Sequence, residues 1–277
     1  MKLYVVENSD AGAALGFELI SKELNEGKLN VFGLATGSTP ISFYDKITAS
    51  DLDFSNVISI NLDEYIGIGA DHDQSYHYFM NKHFFSKKPF KINYLPNGLE
   101  EDAEKECKRY DEIIASNPID VQILGLGING HIGFNEPGAS FEGLTQKVSL
   151  TESTIEANAR FFETKEDVPR YAYSMGIKSI MSAQKIVLFA YGDAKKDAVY
   201  NMMEGTPTED CPASALQNHD DVIVIVDKAA AVRLTFQNIN KTGNGLFFRI
   251  KKKAYAFFTN SDLRLMAPKP SMRQSIL

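Results

Sequence analysis

The sequence has few of the features that mark a secreted, membrane-bound or disulfide-stabilised protein. Its 277 residues include two cysteines, Cys107 and Cys211, in unrelated contexts that predict neither a disulfide framework nor a metal-binding pair. The longest apolar runs are too short to span a bilayer, and the opening residues hold no apolar stretch of the length that a secretory signal needs. We therefore expect a protein of the reducing cytoplasm.

Positive charge is scarce over most of the chain. The formal net charge is −7, although residues 235–277 carry eight Lys or Arg and one Asp. The remaining residues hold 21 basic and 35 acidic side chains, a net charge of −14. Nucleic-acid binding needs clustered cations, so this acidic body argues against a nucleic-acid partner. A small phosphorylated ligand needs only a local positive pocket and stays compatible with the charge.

Apolar residues make up 44% of the chain and form short runs between amphipathic stretches. The runs predict strands at 3–6, 30–34, 57–62, 121–124, 185–190 and 222–226. The intervening stretches predict helices at 11–24, 40–48, 76–85, 100–115, 152–160 and 194–204. This alternation predicts an α/β fold with one open, mostly parallel, Rossmann-like sheet and helices on both faces.

The alternation stops near Leu234. We predict one domain over residues 1–234 and a basic C-terminal extension over residues 235–277. The extension is interpreted as disordered or foreign sequence. An arm for self-association or for anionic surfaces is the alternative, and loss of folding or activity on truncation near Leu234 would favour it.

The most informative segment is residues 124–138, called the histidine loop below. It places His131, Glu136 and the amides Asn129 and Asn135 among five glycines, directly after a predicted strand. Loops at strand ends display reactive side chains on α/β scaffolds. The GxGxxG spacing within it is a weak dinucleotide signal, because later glycines and Pro137 prevent the required helix. We predict a catalytic histidine acid/base, with a structural histidine as the alternative.

Two further strand ends carry polar motifs. Thr36, Gly37, Ser38 and Thr39 precede Pro40, where Thr39 can cap a helix and free N–H groups can bind an anion. No Gly-Lys-Ser/Thr follows, which disfavours a nucleoside triphosphate as the ligand. The alternative to an anion site is an ordinary capped turn between a strand and a helix. Asp63 and Glu64 follow the strand at 57–62, where one of them can act as a general base or both can be solvated acids.

A phosphate group bound at these motifs would favour a nearby cation. Arg160 ends a predicted helix, and Lys195 and Lys196 follow Gly192 just beyond the strand at 185–190. Either lysine is otherwise an ordinary solvated residue of a first helical turn. His72, His77 and His83 lack the spacing of a zinc site and are interpreted as surface or packing residues.

Together these motifs resemble the glucosamine-6-phosphate deaminase family, in its shorter, non-allosteric bacterial form. The resemblance covers residues 1 to about 234 and is carried by TGSTP at 36–40, NLDEY at 61–65, GHIGFNEP at 130–137, NARFF at 158–162 and GDAK at 192–195. It implies the conversion of glucosamine 6-phosphate to fructose 6-phosphate and ammonia, without a cofactor or metal. A small-molecule substrate, no nucleic acid or membrane partner, and a monomer or small homo-oligomer are the expected associations.

The resemblance also implies residue roles. His131 would open the sugar ring, Glu136 and Asn129 would orient and tune it, and Asp63 would take the C2 proton. Thr36, Gly37, Ser38, Thr39, Arg160 and Lys195 would hold the phosphate. Some members carry Asp at position 129, so stabilisation of a charged His131 would fall mostly to Glu136 here.

Allosterically activated members carry basic residues where this chain has Gln146 and Val148, so no activation by N-acetylglucosamine 6-phosphate is expected. Two other functions stay open. A 6-phosphogluconolactonase-like hydrolase would leave Asp63 without a clear task. A non-catalytic sugar-phosphate sensor would bind without turnover, and no helix-turn-helix pattern accompanies it here.

Overall fold

The computed structural model describes residues 1–159 and 162–235, together with the backbone of residues 246–249 and 257–258. Its strands are β1 (Lys2–Val6), β2 (Val31–Leu34), β3 (Ile58–Asn61), β4 (Asp63–Tyr65), β5 (Ile92–Tyr94), β6 (Val121–Gly125), β7 (Gln146–Ser149), β8 (Tyr171–Ser174), β9 (Lys185–Ala190), β10 (Val222–Asp227), β11 (Leu246–Arg249) and β12 (Phe257–Phe258). The α-helices are α1 (Ser9–Asn25), α2 (Ile41–Thr48), α3 (Tyr76–Met80), α4 (Ala103–Ser116), α5 (Glu152–Ala159), α6 (Ile177–Met181) and α7 (Lys196–Glu204).

The main sheet runs in the order β12-β11-β1-β10-β9-β6-β2-β3-β5. Every pair from β1 to β5 along this order is parallel, whereas β11 pairs antiparallel with β1. All four residues of β2 are buried, as are the first five of β10. Strands buried on both faces need cover on both sides, which explains their unbroken apolar sequences. The predicted α/β class with a mostly parallel sheet is confirmed.

All six predicted strands are present, with ends that shift by at most one residue. The predicted helix at 76–85 divides into α3 and one turn of π-helix at Asn81–Phe85. Strand β5 and helix α6 were missed because each is short and has no clear apolar period. No helix among the described residues is both long and apolar enough to cross a membrane.

A second, three-stranded antiparallel sheet of order β4-β8-β7 was also missed. Its strands have three or four residues each, and they pair across large separations in sequence. Short polar strands carry little local signal, since their stability comes from partners that only the tertiary fold supplies. Asp63 is the first residue of β4, so it joins this sheet just after the end of β3.

Candidate active site

Four neighbouring strands of the main sheet end beside one another, and each is followed by a predicted motif. In sheet order, β9 precedes the turn at Gly192 and β6 precedes the histidine loop. Next to them, β2 precedes the turn at 36–39 and β3 precedes Asp63. Carboxyl ends of parallel strands meet at one edge, where open α/β sheets bind ligands. The topology therefore gathers motifs that lie up to about 160 residues apart in sequence into one crevice.

Asp63 is the buried acid of this edge. Its residue is 6% exposed, and its carboxylate accepts no hydrogen bond from the part of the chain that the structure describes. Burial, followed by the charge of Glu64, raises the pKa of Asp63 to about 8. A carboxylate without stabilising donors is a strong base once ionised, as proton abstraction from carbon requires.

Glu64 has a different task, which separates the two members of the acid pair. Its Oε1 accepts the N–H groups of Tyr65 (2.8 Å) and Tyr76 (2.9 Å), and its Oε2 accepts that of His77 (2.9 Å). Burial raises the pKa of Glu64 to about 7, while these three donors act in the opposite direction. Glu64 thus anchors the start of α3 to the second sheet, and Asp63 is left as the candidate base.

His131 and Glu136 form the acid/base pair of the histidine loop. His131 Nδ1 lies 3.3 Å from Glu136 Oε1, close enough for an ion pair but out of line for a linear hydrogen bond. Nδ1 is buried, whereas the histidine side chain as a whole is 29% exposed. The carboxylate therefore favours a proton on Nδ1, and Nε2 is the ring nitrogen left to act on a ligand.

The Glu136 carboxylate is held by neighbours on both oxygens. Asn129 Nδ2 donates to Oε2 at 2.6 Å, and Thr154 Oγ1, from α5, donates to Oε1 at 3.2 Å. Burial raises the pKa of Glu136, but the contacts with His131, Asn129 and Thr154 outweigh it and hold the pKa below its usual value. Asn129 also accepts the backbone N–H of His131 at 3.2 Å, so it orients both members of the pair.

Two glycines let the histidine loop approach its neighbours closely. A Cβ on Gly127 would lie 2.4 Å from the His131 ring, so any side chain there would displace the imidazole. Gly133 has φ 57°, and a Cβ on it would lie 3.6 Å from Asp63 Oδ2. The backbone of the histidine loop therefore passes directly over the Asp63 carboxylate, two residues after His131.

The turn at 36–39 lies between these groups. Gly37 and Ser38 are exposed, and Thr36 and Thr39 are half-buried. Helix α2 begins at Ile41 with Pro40 as its N-cap, and no side chain caps it, so the predicted Thr39 cap is wrong. Its first-turn N–H groups consequently stay available to an anion, with the helix dipole behind them.

The two candidate lysines have different surroundings. Lys196 forms an ion pair with Asp193 at 2.8 Å, which leaves it occupied at the surface. Lys195 is half-buried, and no acidic side chain of the described residues pairs with it; burial lowers the pKa of its ammonium. Of the two lysines, Lys195 is therefore the one without an acidic partner among the described residues. Arg160, the other predicted cation, lies outside the described residues.

Some residues that shape this site were not singled out as site residues from the sequence. Ser174 lies outside the motifs, and Thr154 lies four residues before the NARFF motif, but nothing local to either position signals its contacts. Asn135 and Gln146 were noticed but given no place in the site. Among the described residues, no cluster of three or more His, Cys, Asp or Glu side chains could hold a metal ion.

A parallel sheet that carries acid/base groups at neighbouring strand ends is typical of an α/β enzyme that acts on small ligands by proton transfer. The chain matches the family model described as glucosamine-6-phosphate isomerases/6-phosphogluconolactonase over residues 9–225. It belongs to this family.

Relatives within the family are highly similar. A glucosamine-6-phosphate deaminase of Latilactobacillus sakei subsp. sakei (strain 23K) is 60% identical over 236 residues, which are 85% of this chain and 100% of that protein. One of Streptococcus suis (strain 05ZYH33) is 57% identical over 234 residues, covering 84% of this chain and 100% of that one. Since each is matched over its whole length, part of this chain has no counterpart in them.

Solved structures of other proteins are also similar to this chain. A monomeric glucosamine-6-phosphate deaminase superposes with a TM-score of 0.81 at 40% identity, covering 84% of this chain and 99% of that chain. A 6-phosphogluconolactonase of Trypanosoma brucei superposes with a TM-score of 0.71 at 18% identity, covering 84% of this chain and 98% of that chain. The second likeness shows a shared fold alone.

Proposed function

We propose that this protein converts glucosamine 6-phosphate to fructose 6-phosphate and ammonia, as a step in the breakdown of amino sugars. The single observation that carries the proposal is the Asp63 carboxylate, which is buried beneath the backbone of the histidine loop and has no hydrogen-bond donor among the described residues. A deaminase that isomerises its substrate needs one base for a C–H proton and another group for the ring oxygen. Relatives named glucosamine-6-phosphate deaminase support this reading over its alternatives.

The first step is ring opening at His131. In the proposed reaction the imidazole takes the proton of the anomeric hydroxyl and delivers a proton to the ring oxygen, which yields the open-chain aldehyde. Glu136 favours this shuttle because its carboxylate stabilises the imidazolium that forms transiently. Asn129 holds the carboxylate in place through its 2.6 Å hydrogen bond.

The second step is isomerisation at Asp63. The ionised carboxylate removes the C2 proton, which the C1 aldehyde makes acidic, and an enediol-like intermediate forms. Return of the proton to C1 leaves an imine at C2, and water then replaces the nitrogen to give the ketose and ammonia. The lack of hydrogen-bond donors to Asp63 among the described residues supports its role as base, because donors would stabilise the carboxylate and weaken it.

The phosphate end is proposed to lie at the turn formed by Thr36, Gly37, Ser38 and Thr39. Hydroxyl groups and free N–H groups at the start of α2 donate to phosphate oxygens, and Lys195 neutralises part of the charge. Arg160 is proposed as a second cation on the strength of the sequence resemblance. No step of this scheme requires a metal or redox cofactor, because each is a proton transfer or the addition of water.

The alternatives make less use of the site. A lactonase needs only an activated water, which gives the buried Asp63 no role. A sensor needs neither acid/base group.

We also propose that the protein is a monomer or a small homo-oligomer. We propose a reducing cytoplasmic location, because Cys107 and Cys211 are both unpaired.

An ammonia-coupled assay with glucosamine 6-phosphate tests the proposal on the full chain. We expect turnover by the native protein and near-complete loss with Asp63→Asn or His131→Ala. Lys196→Met, a substitution of the paired surface lysine, is the matched control and should leave turnover unchanged. Hydrolysis of 6-phosphogluconolactone without ammonia release would support the lactonase, and binding of substrate without turnover would support the sensor.

A further inference from the structure

A row of three polar residues crosses the second sheet beneath the histidine loop. In the register of this sheet, Ser174 of β8 lies opposite Asp63 of β4 on one side and opposite Gln146 of β7 on the other. Directly opposed residues of antiparallel strands point to the same face. A Cβ on Gly133 would lie 3.2 Å from Ser174 Oγ and 3.6 Å from Asp63 Oδ2, so this face is the one that the histidine loop covers.

Ser174 bonds to the backbone of the loop. It is fully buried, and its Oγ accepts the N–H of Phe134 at 3.1 Å while donating to Met175 O at 3.2 Å. The hydroxyl therefore donates its single proton to the residue that follows β8 and accepts from the loop with a lone pair. An alanine at this position would leave the Phe134 N–H buried without a partner.

Gln146 bonds to the loop through Asn135. The Asn135 Nδ2 group donates to Ile132 O at 2.9 Å and to Met175 O at 2.8 Å. Because both partners are carbonyl oxygens, they determine the orientation of the amide and leave Oδ1 as an acceptor. Gln146 Nε2 donates to that Oδ1 at 3.2 Å.

These bonds restrain the second half of the loop, which is also held at Gly130 and at Gly138. Gly130 O accepts the N–H of Ala213 at 2.9 Å, and the N–H of Gly138 donates to Glu209 O at 2.8 Å. Between these two points the segment contains His131 and Gly133, and the positive φ of Gly133 marks a tight turn that the segment needs partners to hold. Ser174 and the Gln146–Asn135 pair supply side-chain restraints there, and both come from the row that contains Asp63.

We propose that Ser174 and Gln146 are positioning residues that set the separation of His131 from Asp63, so that both groups act on one sugar. The proposal deepens the deaminase function and rests on it. Neither residue touches the reacting atoms; each acts through the histidine loop. A displacement of about 1 Å between two groups that must act on the same substrate costs up to a hundredfold in rate, even when each group stays intact.

The test compares Ser174→Ala, Gln146→Met and the double variant with Lys147→Met. Lys147 is an exposed neighbour on β7, so its replacement is the matched control. We expect kcat for ammonia release to fall about tenfold in each single variant and further in the double variant, with KM changed less than about threefold. KM should hold because the bonds of Ser174 and Gln146 run to the histidine loop and to Met175, whereas the turn at 36–39 joins β2 to α2.

A second measurement separates positioning from general damage. Deuterium incorporation at C1 of fructose 6-phosphate in D2O containing ammonium uses Asp63 on the imine formed from the open-chain ketose and ammonia, and it does not require ring opening by His131. The double variant should keep this exchange within about threefold of the native rate while losing ammonia release, whereas Asp63→Asn should lose both. Native-like ammonia release in the double variant, or an equal loss of exchange and ammonia release, would overturn the proposal. If the native protein shows neither activity, the deaminase function itself has failed, which is a distinct result.

Discussion

Replacement of Asp63 by Asn is expected to abolish turnover and to change how folding stability depends on pH. Burial raises the pKa of Asp63 from 3.8 to about 8. Between these two values the unfolded chain has released the proton that the folded chain keeps, so the free energy of unfolding falls as pH rises. The slope is about 1.4 kcal/mol per pH unit, because one pKa unit corresponds to that free energy.

Asn has nearly the shape of Asp and does not titrate. The difference in unfolding free energy, variant minus native, should therefore increase by about 2–3 kcal/mol between pH 5 and pH 7. Any pH-independent cost of a buried amide cancels in this comparison. The titration of Glu64 contributes little to it, because a protonated Asp63 carries no charge to act on Glu64 over this pH range. Urea denaturation at several pH values, read by circular dichroism, measures the difference.

The exposed Asp71 provides the control for this prediction, since Asp71→Asn should leave the pH dependence of stability as it is in the native protein. A difference between Asp63→Asn and the native protein that stays constant with pH would refute the reasoning, because it would mean that Asp63 is already ionised in the folded protein at pH 5. In the same variant, kcat should fall by about a hundredfold to ten-thousandfold, as expected for loss of a general base.

Three more changes have defined outcomes. Glu136→Gln should lower kcat about tenfold or more, since a neutral amide stabilises the imidazolium of His131 poorly; an unchanged kcat in the ammonia assay would contradict this. Lys195→Met should raise KM for glucosamine 6-phosphate about tenfold, whereas Lys196→Met should not, because the native Lys196 is already paired with Asp193. Equal effects of the two substitutions on KM in steady-state kinetics would contradict this distinction. Truncation after residue 235 should leave kcat within about twofold of the native value, because relatives matched over their full length lack a counterpart to part of this chain. If the truncated protein is unfolded in a thermal melt, the pairing of β11 with β1 is needed for stability.

Much of the main sheet could be predicted from sequence because buried parallel strands are apolar on both faces. Val222–Asp227 and Lys185–Ala190 illustrate this, since nearly all their residues are buried. The histidine loop, Asp63 and the turn at 36–39 could be selected for a related reason: each is a polar or glycine-rich break directly after such a strand.

The second sheet could not be predicted in this way. Its strands are short, and half of the β7 residues are exposed. Without it, the sequence offers no means to divide tasks between Asp63 and Glu64, because adjacent acids look alike until one of them meets the N–H groups of α3. The same holds for Lys195 and Lys196, whose difference depends on which one reaches Asp193.

The sequence by itself determined the α/β class and which residue types are available at the ends of its strands, since both follow from local pattern and composition. Only the tertiary structure decided which of those groups remain unpaired and how far apart they lie. Burial and hydrogen-bond partners are supplied by segments distant in the chain, as Ser174 and Gln146 show by holding a loop that begins after β6. The raised pKa of Asp63 and the lowered pKa of Lys195 both depend on burial by such distant segments.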